Sequence, residues 1–341
     1  MPVDAPALDD GVTAVAHPNI ALVKYWGKRD ERLILPATDS LSLTLDAFPT
    51  TTTVRPDPAL STDEVTLNGV AADGEAHRRV TTFLDLVRAR AGSTERAVVT
   101  TLNSVPTGAG LASSASGFAA LAVASAAAYG LRLDATSLSR LARRGSGSAS
   151  RSIFGGFAVW YAGPEDDAGD DRARDLASYA EPVSAELDPA LVIALLDTGP
   201  KAVSSRAAMK RTVGTSPLYR PWAESSRADL AQMREALLRG DLEAVGEIAE
   251  RNALGMHATM LAARPAVRYL SPASLTVLDA VLELRRAGTP AYATIDAGPN
   301  VKVLCRRGDA DRVAGAVRAA AACRVVVTGR GPGARLHSGV R

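Results

Sequence analysis

The sequence predicts a two-domain α+β protein, and three observations lead there. The chain has 341 residues, more than one hydrophobic core usually serves. Hydrophobic residues make up 47% of it and aromatics only 4%, so sizeable cores must be built mainly from Ala, Val and Leu. Strand and helix patterns alternate along its second half, with two strands adjacent, which reads as a split βαβ sandwich.

The elements follow from hydrophobic spacing. Leu41, Leu43 and Leu45 alternate with Ser40, Ser42, Thr44 and Asp46, the pattern of a half-buried strand, with residues 50–55 as its neighbour. Asn68-Gly69 inside 65–70 signals a hairpin turn. Val80, Phe83, Leu84 and Val87 sit at helical spacing, and Gly92 ends that helix. A strand over 97–102 leads into a Gly/Ser stretch, then an Ala/Leu helix runs to Gly130. Asp134 caps a helix ended by Gly145, and 153–161 reads as a strand broken by Gly155-Gly156. Residues 164–175 are Asp-rich without apolar periodicity and read as a solvated loop. Beyond it, strands are expected at 191–196, 290–296, 300–305 and 323–328, and helices at 221–239, 241–258, 272–287 and 309–322. The Gly-, Pro- and Arg-rich tail from Gly329 reads as poorly ordered. The domain division expected is 1–185, 186–330 and a tail at 331–341.

Composition excludes several function classes. The net charge is +2 with acidic and basic residues interleaved, so no basic stripe points to nucleic acid. Cys305 and Cys323 make neither a disulfide framework nor a metal site, and four scattered histidines do not suggest a histidine-based one. Residues 1–11 are acidic without an apolar core, unlike a signal peptide. The longest apolar run, 118–129, is too short for a bilayer. These features describe a cytoplasmic, enzyme-sized protein with no membrane partner.

Five segments carry chemistry. Pro106-Thr-Gly-Ala-Gly-Leu-Ala-Ser-Ser-Ala-Ser-Gly117 places flexible positions and the hydroxyls of Ser113 and Ser114 before a helix. A helix start offers unpaired N–H donors and a positive dipole end, so this segment can cradle a phosphate or be a tight turn. It completes neither the Walker A nor the Gly-x-Gly-x-x-Gly pattern. Gly145-Ser-Gly-Ser-Ala-Ser-Arg-Ser152 offers four hydroxyls and the Arg151 guanidinium, a second anion site or a linker. In Asn19-Ile-Ala-Leu-Val-Lys-Tyr-Trp-Gly-Lys28, Lys24 interrupts an apolar run; it must be paired, face a ligand, or snorkel to solvent. Ser204-Ser205-Arg206 follows a strand end and is either an anion contact or an exposed face. Asp296, in Thr294-Ile-Asp-Ala-Gly-Pro-Asn300, is either a turn residue or a proton acceptor at a strand end.

Taken together, these segments resemble the mevalonate diphosphate decarboxylases, of the superfamily that includes galactokinase, homoserine kinase, mevalonate kinase and phosphomevalonate kinase. The matching pieces also include Leu35-Pro36 with Ser40-Leu-Ser42, Ala142-Arg-Arg144 and Met256-His-Ala-Thr259, in family order from residue 14 to 300. The Gly/Ser motif is shared by the superfamily; the Lys-Tyr-Trp-Gly-Lys, Gly-Ser-Gly-Ser-Ala-x-Arg-Ser and Asp-Ala-Gly-Pro-Asn pieces are specific to the decarboxylases. Ala37-Thr38-Asp39, Ser150 and Gly108 depart from the family pattern, and Asp39 adds an acid where the family is neutral.

The resemblance implies a ribosomal-protein-S5-like N-terminal α/β domain, a ferredoxin-like C-terminal domain, and an active site between them. It implies that ATP, with Mg²⁺, phosphorylates the 3-hydroxyl of mevalonate 5-diphosphate, whose phosphate and CO₂ then leave to give isopentenyl diphosphate. Asp296 would position and deprotonate that hydroxyl, Arg151 would hold the substrate's carboxylate or diphosphate, and Lys24 would offset charge at the reacting oxygen. Tyr25, Lys28, Ser146, Ser148, Ser205 and Arg206 would line the diphosphate site. Pro106, Gly108, Gly110, Leu111, Ala112, Ser113 and Ser114 would hold ATP. The Mg²⁺ ligands are not legible in the sequence, and a homodimer is expected from the family. A phosphomevalonate decarboxylase, a mevalonate 3-kinase and a non-catalytic nucleotide-binding regulator are the alternatives.

Overall fold

A six-stranded sheet, a four-stranded sheet and a second four-stranded sheet carry the chain, in a computed structural model that describes residues 11–104, 113–164, 170–197, 199 and 202–337. The first half comprises β1 (Val12–Ala16), β2 (Asn19–Val23), β3 (Lys28–Asp30), β4 (Leu35–Pro36), β5 (Ser40–Thr44), β6 (Thr50–Asp57), β7 (Glu64–Leu67) and β8 (Val70–Ala71). It continues with α1 (Gly74–Ala91), β9 (Arg96–Asn103), α2 (Ser113–Ala128), α3 (Ala135–Gly145), α4 (Ala149–Ser152), β10 (Phe157–Trp160), α5 (Asp171–Ala177) and β11 (Ala180–Pro182). The second half comprises β12 (Pro189–Leu195), α6 (Ser205–Thr215), α7 (Tyr219–Leu238), α8 (Leu242–Leu261), α9 (Pro272–Arg286), β13 (Ala291–Ile295), β14 (Val301–Arg306), α10 (Ala310–Ala321) and β15 (Arg324–Thr328); β16 (Arg335–Leu336) follows.

Local chemistry explains several boundaries. Asn68 and Gly69 turn at φ 50° and 80°, as the hairpin signal requires. Gly92 ends α1 in the left-handed region, its N–H donating to Arg88 O, and Asp134 accepts from Ser137 N to start α3. Apolar residues surround α2 on every side, so it is buried all round, wedged between the first sheet and α3 and α4.

The C-terminal sheet runs β13-β14-β12-β15, antiparallel throughout, with α9 and α10 packed on one face and α7 and α8 on the other. That strand order, with a helical crossover between β12 and β13 and another between β14 and β15, is the ferredoxin-like split βαβ arrangement expected. Its α7–α8 face shares one core with β2, β5 and β10 of the other half, through Ile20, Leu22, Leu41, Leu43, Ile193 and Met233. This shared core sets the end of β13 against the end of β2.

Four expectations are corrected. The strand over 40–45 is buried on both faces, not half-buried, because its serine face meets Arg151 instead of water. Residues 50–57 pair with β1 and β9 in the other sheet and are not its neighbour. Within 164–175, of which 165–169 lie outside the described residues, Asp170 caps α5 by accepting from Ala173 N, so 171–175 are helical where a loop was expected, while remaining solvated as expected. The tail is ordered through His337: Gly331 N donates to Thr44 O at 2.8 Å, Gly329 N to Asp46 Oδ1 at 2.9 Å, and β16 pairs with β1. Glycines suited to disorder here allow backbone to pack on backbone. The helix α6 was also not foreseen.

Candidate active site

The site is built where β2 runs out of its sheet. Lys24, the next residue, is 2% exposed. Its backbone N–H donates to Asn252 Oδ1 at 2.8 Å, tying it to α8. Its Nζ donates to Ala21 O at 2.7 Å and to Asp296 Oδ1 at 2.8 Å. Of the three fates open to Lys24, the structure shows pairing. Asp296 follows β13, and its other oxygen lies 3.2 Å from Lys302 Nζ. Burial pushes the Asp296 carboxyl up, but the Lys24 and Lys302 ammoniums more than offset it and hold it well below the usual carboxylate range. Burial lowers the Lys24 ammonium to about 8 against the pull of Asp296.

Arg151 lies in α4, behind the second Gly/Ser stretch, which is therefore no linker. It is 2% exposed, and its Nε donates to Ser42 Oγ at 2.9 Å, one Nη to Ser40 Oγ and the other to Asn19 Oδ1 at 3.3 Å. Asn19 is held in turn by Ser152 Oγ at 2.7 Å and Ser148 O at 3.0 Å. Burial lowers the guanidinium to about 10, opposed by Asp296 and Tyr25. These partners are neutral, and among the described residues no carboxylate lies within hydrogen-bond reach of Arg151.

Tyr25 packs edge-to-face on Trp160, 4.7 Å between centroids, and burial raises its phenol. Gly147 makes that stack possible: a Cβ there would stand 2.8 Å from Trp160 and 2.9 Å from Tyr25. Lys28 pairs with Glu31. Ser204 caps α6, placing Ser205 and Arg206 in its first turn; Arg206 reaches toward Glu75 at 3.6 Å. Ser113 and Ser114 open α2 and are exposed, and Ser114 Oγ lies 3.2 Å from Ser146 Oγ, so the two Gly/Ser segments meet. Pro106, Gly108, Gly110, Leu111 and Ala112 lie outside the described residues.

Several residues around this centre carried no role in the sequence reading. Lys302 interrupts the apolar run 301–305 as Lys24 interrupts its own, and the same desolvation argument applied to it. Ser40, Ser42 and Asn19 hold Arg151. Asn252 is fixed by Ser226 at 2.9 Å and Asp229 at 2.8 Å. His257, 3% exposed, lies beside Lys24 and Asp296 and is lowered to about 4, mainly by burial, which keeps it neutral. Arg79 stacks over Phe118 and donates to Gly145 O at 3.3 Å. Asp39 serves the structure, accepting from Ala162 N at 2.6 Å on the wall of a 420 Å³ cavity with Arg29, Thr38 and Arg227.

An α/β half built around the buried helix α2 and sharing a core with a ferredoxin-like half is the architecture of the galactokinase, homoserine kinase, mevalonate kinase and phosphomevalonate kinase superfamily. Within that class, residues 16–172 match the diphosphomevalonate decarboxylase-like N-terminal domain, and residues 191–328 match the mevalonate 5-diphosphate decarboxylase C-terminal domain. The chain belongs to the diphosphomevalonate decarboxylase family. It is 37% identical over 312 residues to the diphosphomevalonate decarboxylase of Ganoderma lucidum, covering 85% of this chain and 77% of that one. A solved structure of MDDEF in complex with MVAPP, AMPPCP and magnesium matches with a TM-score of 0.89 at 47% identity, covering 96% of this chain and 99% of the other. A structure of the mevalonate diphosphate decarboxylase from Enterococcus faecalis matches with a TM-score of 0.88 at 46% identity, with the same coverage. Among the described residues, no helix is long and apolar enough to cross a membrane.

Proposed function

We propose that this chain converts mevalonate 5-diphosphate and ATP to isopentenyl diphosphate, ADP, phosphate and CO₂. The observation that carries the reading is the Asp296 carboxylate, held by Lys24 at the meeting of the two halves, with Arg151 buried nearby. Two steps follow. The substrate's 3-hydroxyl oxygen attacks the γ-phosphorus of ATP, ADP leaves, and the hydroxyl proton passes to the site. The substrate's own C3–O bond then breaks as inorganic phosphate leaves with the oxygen, the C–C bond to the carboxylate supplies the double-bond electrons, and CO₂ departs.

Each residue has a part in that reading. Asp296 accepts the hydroxyl's hydrogen bond, fixing the oxygen in line with the phosphorus. Its depressed carboxyl makes it an orienting anion first and a proton acceptor only as the oxygen loses its own electron density. Lys24 offsets the charge of Asp296 and of the reacting oxygen. Arg151, on neutral partners, holds the substrate carboxylate until it leaves as neutral CO₂. Tyr25, Lys28, Ser146, Ser148, Ser205 and Arg206 surround the diphosphate. Ser113 and Ser114, at the positive end of α2, contact the ATP phosphates with Pro106, Gly108, Gly110, Leu111 and Ala112.

The Mg²⁺ in this reading arrives with the nucleotide. Among the described residues, no group of three or more His, Cys, Asp or Glu side chains gathers to hold a metal. The hydroxyls of Ser113 and Ser114 at the start of α2 would help hold the ion, which would supply positive charge to the phosphate oxygens. The division at residue 185, a homodimer and a cytoplasmic location belong to the same reading; sedimentation velocity tests the dimer.

The test is stoichiometric. With ATP, Mg²⁺ and mevalonate 5-diphosphate, ADP and CO₂ are expected in equal amounts. ADP without CO₂ would indicate a kinase that stops at the 3-phosphate. Turnover on the monophosphate alone would indicate a phosphomevalonate decarboxylase, and ATP binding without turnover a regulator.

A further inference from the structure

Asp296 has two carboxylate oxygens, and a different lysine stands at each. Lys24 comes from the end of β2 in the N-terminal half. Lys302 comes from β14 in the C-terminal sheet, where it pairs in register with Thr294 on one side and Ile193 on the other. Side chains alternate along a strand, so Thr294, Asp296 and Lys302 share the sheet face that meets the N-terminal half. The Lys302 side chain is 1% exposed, and its Nζ donates to Asn300 O at 3.2 Å. Asn300 is itself fixed, accepting from Leu196 N at 2.7 Å and Asp197 N at 3.1 Å. Lys302 therefore stands on a rigid base, behind Asp296. A lysine buried this far costs stability unless its charge is used.

We propose that Lys302 is a positioning residue for the reaction: it anchors Oδ2 of Asp296 so that Oδ1, shared with Lys24, keeps the orientation the substrate hydroxyl needs. It does this through Asp296 and not through the substrate. With Lys302 removed, the carboxylate has one cation instead of two and can turn about its terminal torsion. The charged and titratable groups facing Asp296 are then Lys24 from β2, Arg151 from α4 and His257 from α8, the last neutral. A misplacement of about 1 Å at a reacting group can cost up to about 100-fold in rate. Losing one nearby cation also moves the carboxylate's protonation upward in pH.

The inference rests on the function proposed above, and the two fail separately. Wild-type turnover of mevalonate 5-diphosphate tests the function; the ratio of variant to wild type tests Lys302. The variants are Lys302→Met, Lys302→Gln and Lys302→Arg, in the full chain, with steady-state kinetics from pH 4 to 9. For Lys302→Met, kcat is expected to fall about 10–100-fold with KM for both substrates within about threefold. Lys302→Gln keeps hydrogen-bonding capacity without charge and should show the same loss of kcat, and Lys302→Arg should restore it. Folded Met and Gln variants with wild-type kcat would overturn the proposal. So would a loss in which KM rises as kcat falls and arginine rescues nothing. If neither Met nor Gln variant folds, Lys302 belongs to the fold and the proposal also fails.

Discussion

Replacing Asp296 with Asn keeps the side-chain shape and removes one negative charge from between two buried ammoniums. Lys24 Nζ is 2.8 Å from one oxygen and Lys302 Nζ 3.2 Å from the other, so both lose their counter-charge together. Breaking a buried pair by removing one partner typically costs about 3–5 kcal/mol. The lower end applies here. Lys24 already titrates at about 8 with Asp296 raising it, so without the carboxylate it sheds its proton and escapes part of the penalty. The expected stability loss is thus about 3 kcal/mol or less. The effect on rate is larger: with no anion to orient the hydroxyl or take its proton, kcat should fall at least about 1,000-fold, roughly 4 kcal/mol of barrier. Coupled ADP release gives kcat, calorimetry gives stability, and titration with a non-hydrolysable ATP analogue gives nucleotide affinity, expected to stay within about threefold. A folded Asp296→Asn enzyme with more than a tenth of wild-type kcat would refute the reasoning.

Three further outcomes are expected. Lys24 carries its charge below about pH 8 and loses it above, because burial lowers the ammonium from its usual value. So kcat should decline on the alkaline side with a midpoint near 8, and Lys24→Arg, which stays charged, should push that limb to higher pH whatever its own maximal rate; an unmoved limb assigns the decline to another group. Gly147→Ala forces a methyl to within 2.8 Å of Trp160 and 2.9 Å of Tyr25, which should cost about 1–3 kcal/mol and raise KM for mevalonate 5-diphosphate; a wild-type melting temperature would count against the stack's tightness. Asp63 is buried away from the site and accepts from Arg88 at 2.9 and 3.1 Å and from Ala97 N at 2.9 Å. Asp63→Asn should lower stability by about 3 kcal/mol while kcat at 25 °C stays at the wild-type level, since Arg88 then keeps the half-exposed Asp85 and a long contact to Tyr129 Oη at 3.5 Å but loses its buried carboxylate. Thermal unfolding and kinetics on the same sample decide it.

Periodicity and caps made much of the fold legible. The helix at 80–87 stopped at Gly92, Asp134 started its helix, Asn68-Gly69 turned its hairpin, and the strand–helix order of the second half produced the ferredoxin-like sheet. The misread elements share a cause, which is that their neighbours are distant in sequence. The serine face of β5 looks solvent-facing until Arg151, more than a hundred residues away, is folded against it. The Gly-Pro tail has no periodic signal, yet it docks by backbone hydrogen bonds to Thr44 and β1. Short β3 and β4 and the helix α6 carry too few apolar repeats to be seen.

The site divides in the same way. Residue identity alone placed Lys24, Arg151, Asp296 and the serine hydroxyls in chemistry-bearing motifs, because a lysine in an apolar run and a carboxylate at a strand end are locally anomalous. What a local anomaly cannot say is which charge answers it. Lys24 and Asp296 are 272 positions apart, and only the shared core between β2 and the C-terminal sheet brings their atoms to 2.8 Å. Lys302 was visible as the same kind of anomaly, but its meaning depends on the register that pairs it with Thr294 and turns it toward Asp296. The sequence by itself determined the longer periodic elements, the reactive groups and the family they resemble. The tertiary structure decided which charges share a dry space, and so which carboxylate stays ionised and which amine is loosened toward neutrality. Desolvation and Coulomb interaction depend on distance in space and not on distance along the chain.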